Sequence, residues 1–205
     1  MLETAESFFL TAEVLAQQLR QEEALLSGHF RLSSGLHSDT YVQCARFLRR
    51  PELAGPACAA LAGQIQKAGL QPQVVVGPAM GGIVMGYELA RQLGVPGIFT
   101  ERDADGKMSL RRGFTLSPGE RVIIAEDVVT TGKSTLEVAR ILTEMGAEVL
   151  AVASLIDRTG GAAGLPFPSF ALLPVAAAVY SPESCPLCAA GVSVVKPGSR
   201  PEAAF

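Results

Sequence analysis

The run from Val122 to Thr135 constrains this chain more than any other part of it. It opens as an apolar strand, Val122-Ile123-Ile124-Ala125, and meets two adjacent carboxylates at Glu126 and Asp127. It closes in the small, hydroxyl-rich turn Val128-Val129-Thr130-Thr131-Gly132-Lys133-Ser134-Thr135. The pattern predicts a short buried strand ending near Ala125 and a helix beginning near Lys133. Backbone N–H groups at the start of a helix lack intrahelical acceptors, so they favour an anion above the strand end. The hydroxyls of Thr130, Thr131, Ser134 and Thr135 add donors for phosphate oxygens. Glu126 and Asp127 would repel a phosphate and must face something else, for which ribose hydroxyls and Mg²⁺ are the natural partners. A sugar phosphate satisfies both halves of the segment.

A nucleotide-binding P-loop competes, because Gly132-Lys133-Ser134 matches the end of G-x-x-x-x-G-K-[ST]. Its first glycine would fall at Asp127, whose charged side chain obstructs a loop that wraps phosphate by close backbone approach. A second alternative makes Glu126 and Asp127 simple caps of the following helix. Either carboxylate alone suits that role, but the pair together with the hydroxyl-rich turn suits a phosphate site better.

The rest of the sequence alternates in the manner of a parallel sheet covered by helices. Helices are expected at Thr4 to Leu26, Glu52 to Ala68, Ile83 to Leu93 and Ser134 to Met145. Strands are expected at Val74 to Val76, Gly97 to Thr100, Arg121 to Ala125 and Glu148 to Ile156, with a hairpin through Met108 to Leu116. Gly94, Gly146 and Pro96 mark helix ends. The Pro-rich stretch Leu165 to Pro174 reads as an irregular connection holding one short strand. With 205 residues, 48% of them apolar, and no linker-like stretch, one domain over 1–205 is expected. A net charge of −3 gives no electrostatic reason to expect nucleic acid. No signal-peptide pattern opens the chain and no apolar run approaches the roughly 20 residues of a membrane span, so a cytoplasmic protein without membrane partners is expected.

On its acidic pair and its T-x-G-x-[ST] turn, Thr130 to Ser134, the leading segment resembles the phosphoribosyl-diphosphate (PRPP) signature of the type I phosphoribosyltransferases. The resemblance implies an α/β fold with a central, mostly parallel sheet flanked by helices and a small hood from about residues 1–50. It implies that Glu126 and Asp127 bind the ribose 2- and 3-hydroxyls, and that Val128, Val129, Thr130, Thr131, Gly132, Lys133 and Ser134 form the PRPP turn around the 5-phosphate. Mg²⁺ would be bound mainly through diphosphate and ribose oxygens, with no protein ligand assigned. The loop Gly77-Pro78-Ala79-Met80-Gly81-Gly82 either packs strand tightly on helix or, as the resemblance implies, grips the diphosphate through Met80, Gly81 and Gly82.

The segment Phe30-Arg31-Leu32-Ser33-Ser34-Gly35-Leu36-His37-Ser38-Asp39-Thr40-Tyr41 resembles the F-x-L-x-S-G-x-x-S-x-x-Y/F hood of the orotate-specific members of that family. It implies Ser33 near the base, and leaves Tyr41 either stacking on the base or filling the hood. Asp157-Arg158 follows an apolar strand and is either a surface ion pair or, by the resemblance, the source of an arginine that reads the carboxylate of orotate beside Thr130. The implied reaction joins the 5-phosphoribosyl group of PRPP to orotate, with inversion at the anomeric carbon, in a homodimer. Two other readings stay open. A purine or xanthine phosphoribosyltransferase predicts an aromatic residue soon after Asp157, where Thr159-Gly160-Gly161 supplies none; a non-catalytic PRPP-sensing regulator predicts a basic face.

Many orotate enzymes carry a lysine at the position of Ser33, a Tyr-Lys pair at Met80-Gly81, and a longer basic loop with a histidine. Here the loop is Glu101-Arg102-Asp103-Ala104-Asp105-Gly106-Lys107-Met108, and Arg102 and Lys107 are the cations available to cover a departing diphosphate. Arg111 and Arg112 either serve the diphosphate as well or sit on an exposed hairpin, the preferred reading. His29 and His37, the only histidines, are read as structural or surface residues without a metal partner. Cys185-Pro186-Leu187-Cys188 lacks the two further ligands of a zinc site in its neighbourhood, so it is read as structural or incidental, with an intersubunit zinc or a disulfide as the alternative.

Overall fold

The computed structural model describes residues 10–162 and 164–197. Thr11 accepts a hydrogen bond from the Val14 N–H at the start of α1 (Ala12–Gln21), whose Leu15 and Leu19 lie one turn apart on a buried face. Glu23, at φ 52°, turns the chain out of that helix into a hairpin of β1 (Leu25–Arg31) and β2 (His37–Val42). Helices α2 (Cys44–Leu48) and α3 (Pro51–Lys67) follow, then β3 (Val74–Pro78), α4 (Gly81–Leu93), β4 (Gly97–Arg102) and β5 (Met108–Leu110). The chain continues through β6 (Arg121–Val129), α5 (Lys133–Glu144), β7 (Glu148–Asp157) and β8 (Ser169–Pro174). It then forms β9 (Val179–Tyr180) and a short helix α6 (Pro186–Ala189).

Six strands form one sheet in the order β5-β4-β3-β6-β7-β8, parallel throughout except for the β4–β5 hairpin. Successive residues of a strand face opposite sides, so a sheet covered on both faces needs unbroken apolar runs. Val75, Ile123 and Ala125 pack with Leu15, Leu61, Ile65, Met85 and Leu89 from α1, α3 and α4. Val74, Val76, Val122 and Ile124 pack with Val138 and Leu142 from α5 on the other side. Each fully buried Val, Ile or Leu contributes about 1.5–3 kcal/mol over its exposed state. A second, three-stranded antiparallel sheet, β1-β2-β9, forms the hood.

The acidic pair belongs to the strand instead of following it. β6 runs four residues past Ala125 because β7 continues beside it, pairing Glu126 with Ser154 and Val129 with Asp157. The expected helix from Thr4 to Leu26 is shorter: Leu25 and Leu26 pair with Val42 and Tyr41 in β1, and Thr4 to Phe9 lie outside the described residues. Gly94 (φ 70°) and Gly146 (φ 86°) end α4 and α5, as their positions predict. Among the described residues no helix is long and apolar enough to cross a membrane.

Candidate active site

Strand alternation divides the acidic pair. Asp127 shares the face of Ile123 and Ala125, toward the start of α4, where a Cβ on Gly81 would collide with its carboxylate. Glu126 shares the face of Ile124, toward α5, and is buried. Burial, and after it the neighbouring Asp127, pushes the Glu126 carboxyl up to about 8. Burial raises Asp127 too, opposed by the backbone N–H of Val128, which donates to its Oδ1 at 2.9 Å. Neither carboxylate forms an ion pair among the described residues. Hydroxyl donors or a hard cation brought by a ligand would stabilise the charged forms that the protein alone disfavours.

Beyond Val128 and Val129 the turn passes through Thr130 and Thr131 to Gly132, whose φ of 72° excludes most side chains, and α5 starts at Lys133. Gly132 provides no side-chain cap, and the Thr135 hydroxyl is buried without a partner. The Lys133 N–H has only a long contact, 3.4 Å to the Thr131 hydroxyl, so the first N–H groups of the helix, through Ser134, face the turn with anion-binding capacity to spare. At the other loop, Met80 is 82% exposed, and Gly82 is packed so closely that a Cβ would stand 2.7 Å from the Ala125 carbonyl oxygen. The packing reading of that loop holds: Gly82 permits strand–helix packing, and Gly81 brings backbone against Asp127.

A cavity of about 570 Å³ lies between the hood and the ends of β6 and β7. Arg31, Ser33, Leu36 and Tyr41 line its hood wall, Thr130, Thr131 and Arg158 its floor, and Val179 and Lys196 the remaining side. Tyr41 packs at 5.7 Å from the Phe30 ring and donates to Gln43 Oε1 at 2.9 Å, so it both builds the hood and faces the cavity. Arg158 is not the partner of Asp157. The Asp157 carboxylate accepts from the Thr159 N–H (2.7 Å), the Thr159 hydroxyl (2.6 Å) and the Gly161 N–H (2.9 Å), closing the turn after β7. The Arg158 guanidinium is left with one long contact, 3.4 Å to Ser38 Oγ, and its Nε is buried without an acceptor. Burial lowers its pKa, against the favourable charge of Asp39. An anionic planar group in the cavity would supply the missing acceptors.

The cation-bearing loop forms a tight turn, with the Asp103 carboxylate accepting from the Asp105 and Lys107 N–H groups and the Asp103 N–H donating to the Lys107 carbonyl. Arg102 is held on α5 by a two-pronged pair with Glu137 (3.1 and 2.8 Å) and donates to the Gly106 carbonyl. Lys107 forms no ion pair among the described residues. Neither lines the cavity. Arg111 and Arg112 are exposed, as expected, and pair with Glu101, with Arg112 over the Phe99 ring; they lie in the turn after β5, because the hairpin expected through Met108 to Leu116 is instead β5 pairing back with β4.

The histidines and the cysteine pair correct their sequence reading. Antiparallel pairing of β1 and β2 brings His29 within 2.9 Å of His37, and Cys185 and Cys188 meet the same ring nitrogens from α6 and its N-terminus. The C-x-x-C pair therefore has two further ligand types beside it, contributed from about 150 residues away in the chain, where no local spacing could reveal them. Of the tail Lys196 to Arg200, residues 198–200 lie outside the described residues.

Comparison with known proteins matches residues 49–164 to the phosphoribosyl transferase domain family. The chain is 53% identical over 180 residues to an orotate phosphoribosyltransferase of Carboxydothermus hydrogenoformans, covering 88% of this chain and 94% of that one. It is 51% identical over 177 residues to an orotate phosphoribosyltransferase of Desulforamulus reducens, covering 86% and 91%. Among solved structures it is similar to the orotate phosphoribosyltransferase of Aeropyrum pernix, with a TM-score of 0.66, 26% identity and coverage of 78% and 93%.

Proposed function

The chain belongs to the phosphoribosyl transferase domain family, and from that premise we propose that it transfers the 5-phosphoribosyl group of PRPP to orotate, giving orotidine 5-phosphate and diphosphate. The observation that carries the choice of base is Arg158: an arginine with an orphaned buried Nε, aimed into a cavity roofed by the hood and matched to the carboxylate of orotate. Thr130 and Ser33 line the same cavity and supply hydroxyls for the ring. The residues directly after Arg158, Thr159-Gly160-Gly161, supply no aromatic ring to stack on a purine.

In this reading Glu126 and Asp127 hold the ribose hydroxyls, the segment from Val128 to Ser134 holds the 5-phosphate, and Met80, Gly81 and Gly82 approach the diphosphate. The ring nitrogen of orotate attacks the anomeric carbon with inversion, the bond to diphosphate breaks, and the nitrogen's proton goes to solvent. The protein acts by positioning the two reactants and stabilising the charge that develops. Arg102 and Lys107 are the cations available to the departing diphosphate. Mg²⁺ fits this donor set, since two carboxylates without cationic partners offer hard oxygens near where ribose and diphosphate oxygens would lie. Bound with PRPP, it would neutralise diphosphate charge.

The enzyme is read as cytoplasmic and as a homodimer. Met80, Val84 and Tyr87 succeed one another along one face of α4 and its start, and are 82, 50 and 69% exposed, an apolar surface suited to a second copy. The test is absorbance of orotate with purified protein, Mg²⁺ and PRPP, repeated with hypoxanthine, xanthine, adenine and uracil. PRPP-dependent loss of orotate alone supports the reading. Turnover of a purine transfers the assignment to another base, and PRPP binding without turnover of any base marks a sensor.

A further inference from the structure

We propose that His29, His37, Cys185 and Cys188 bind one Zn²⁺ ion, which fastens the C-terminal segment to the hood beside the cavity. Four candidate ligand atoms, one from each residue, lie within 4.8 Å of one another. The nitrogens of His29 (Nε2) and His37 (Nδ1) are 2.9 Å apart. Cys185 Sγ lies 3.4 Å from His29 Nε2, and Cys188 Sγ lies 3.7 Å from it and 3.3 Å from His37 Nδ1. On one tetrahedral zinc, with Zn–N near 2.05 Å and Zn–S near 2.3 Å, ligands stand about 3.3 Å apart for two nitrogens and about 3.6 Å for nitrogen and sulfur. These four separations match a single-ion site to within a few tenths of an ångström, and the remaining two, between Cys185 and His37 and between Cys185 and Cys188, lie within 4.8 Å. In a two-iron cluster with mixed ligands, the histidines and cysteines divide between different metals, which the shared 3.3–3.7 Å approaches do not fit. Two thiolates and two imidazoles in a tetrahedral cluster select zinc.

The surroundings are arranged for a ligand. His29 Nδ1 lies 2.8 Å from the carbonyl oxygen of Val192, which can only accept, so Nδ1 carries the hydrogen and Nε2 presents its lone pair to the cluster. A hydrogen bond between the two rings accounts for their 2.9 Å approach, but not for two sulfurs converging on the same nitrogens. His29, His37 and Cys185 are buried, whereas Cys188 is exposed and leaves a path of entry. On binding, four coordinate bonds form, the two thiol protons pass to solvent, and two thiolates neutralise the 2+ ion without any change of oxidation state.

The four ligands join the hood hairpin, whose two strands pair with each other, to the segment that carries α6. His29 and His37 belong to the two strands of the hood hairpin, and the cysteines belong to the segment after β9. That segment continues to Val195, which exchanges backbone hydrogen bonds with Arg31 and His29, and then to Lys196 on the cavity wall. Zinc would thereby hold the wall of the base pocket in place without touching substrate. Because it rests on side-chain geometry outside that pocket, the proposal stands independently of the base chosen.

Metal analysis of the full-length protein, expressed with zinc in the medium and purified without chelator, is expected to find about one zinc per chain. After chelation, Co²⁺ should restore the visible spectrum of a tetrahedral cobalt thiolate in the wild-type protein, a readout that requires no variant to fold. Cys188→Ser, at the exposed ligand, should lose stoichiometric zinc while keeping the far-ultraviolet circular dichroism of the wild type. Metal-free protein with both thiols titratable and no cobalt spectrum would overturn the proposal, as would a Cys185–Cys188 disulfide in protein purified from the reducing cytoplasm.

Discussion

Replacing Arg158 by alanine isolates the contact on which the choice of base rests. In the ligand-free protein the guanidinium has one long contact, 3.4 Å to Ser38 Oγ, while the neighbouring Asp157 caps its own turn without help from Arg158. Folding should therefore change little, by under about 1 kcal/mol. Bound orotate would accept two charge-assisted hydrogen bonds from the arginine fork. Each such bond is worth about 1.5–3 kcal/mol, and the lower figure suits a half-buried group, so the pair contributes about 3 kcal/mol or roughly a hundredfold in kcat/KM for orotate. The PRPP site lies across the turn and should keep its affinity. Steady-state kinetics with each substrate varied, together with a thermal unfolding scan, separates these effects. The reasoning is refuted if Arg158→Ala keeps orotate kcat/KM within threefold of wild type, or if KM for PRPP rises in parallel.

Gly81→Ala should displace the Asp127 carboxylate and weaken PRPP binding about a hundredfold, the usual effect of misplacing a binding group by an ångström; isothermal titration with PRPP and Mg²⁺ reads it. The Glu126 carboxyl titrates near 8 in the folded protein against 4.5 in the unfolded chain, so the folded state holds a proton that the unfolded state has lost. The contribution of Glu126 to stability is accordingly fully present below pH 4.5 and lost as pH rises to about 8, so the melting temperature of Glu126→Gln relative to wild type should rise across that range. Lys107→Ala should lower kcat about tenfold or more with orotate KM unchanged, whereas Arg102→Ala, which frees Glu137, should have the smaller effect on kcat; stopped turnover assays compare them. If the proposed homodimer forms through the exposed face of α4, wild-type protein should sediment as a dimer and Tyr87→Glu as a monomer, and a wild-type monomer in sedimentation velocity runs would contradict the proposal.

Much of the fold was legible because buried parallel strands leave unbroken apolar runs, as Val74 to Val76 and Val149 to Ile156 do, and because glycines such as Gly94 end helices where their left-handed conformation is needed. The turn after β6 was legible for the same local reason. The length of β6 was not, since pairing with β7 carries the strand through Glu126 and Asp127 although charged residues usually interrupt such runs. Arg102 read as a free cation because its partner, Glu137, is 35 residues away on α5. The short hood strand β9, with only Val179 and Tyr180, carries no periodicity to detect. The histidine–cysteine cluster was hidden most completely, because each half is unremarkable until the hairpin and the tail are folded together.

The account turns on the cavity between the hood and the Thr130–Thr131 turn being the place where base meets sugar. A crystal structure of the protein with orotate, PRPP and Mg²⁺, trapped before turnover, tests that directly. The expected density places the orotate carboxylate on Arg158 and the 5-phosphate at the N-terminus of α5, with the ribose against Glu126 and Asp127. Orotate bound away from Arg158, or PRPP seated anywhere other than above the end of β6, would contradict it.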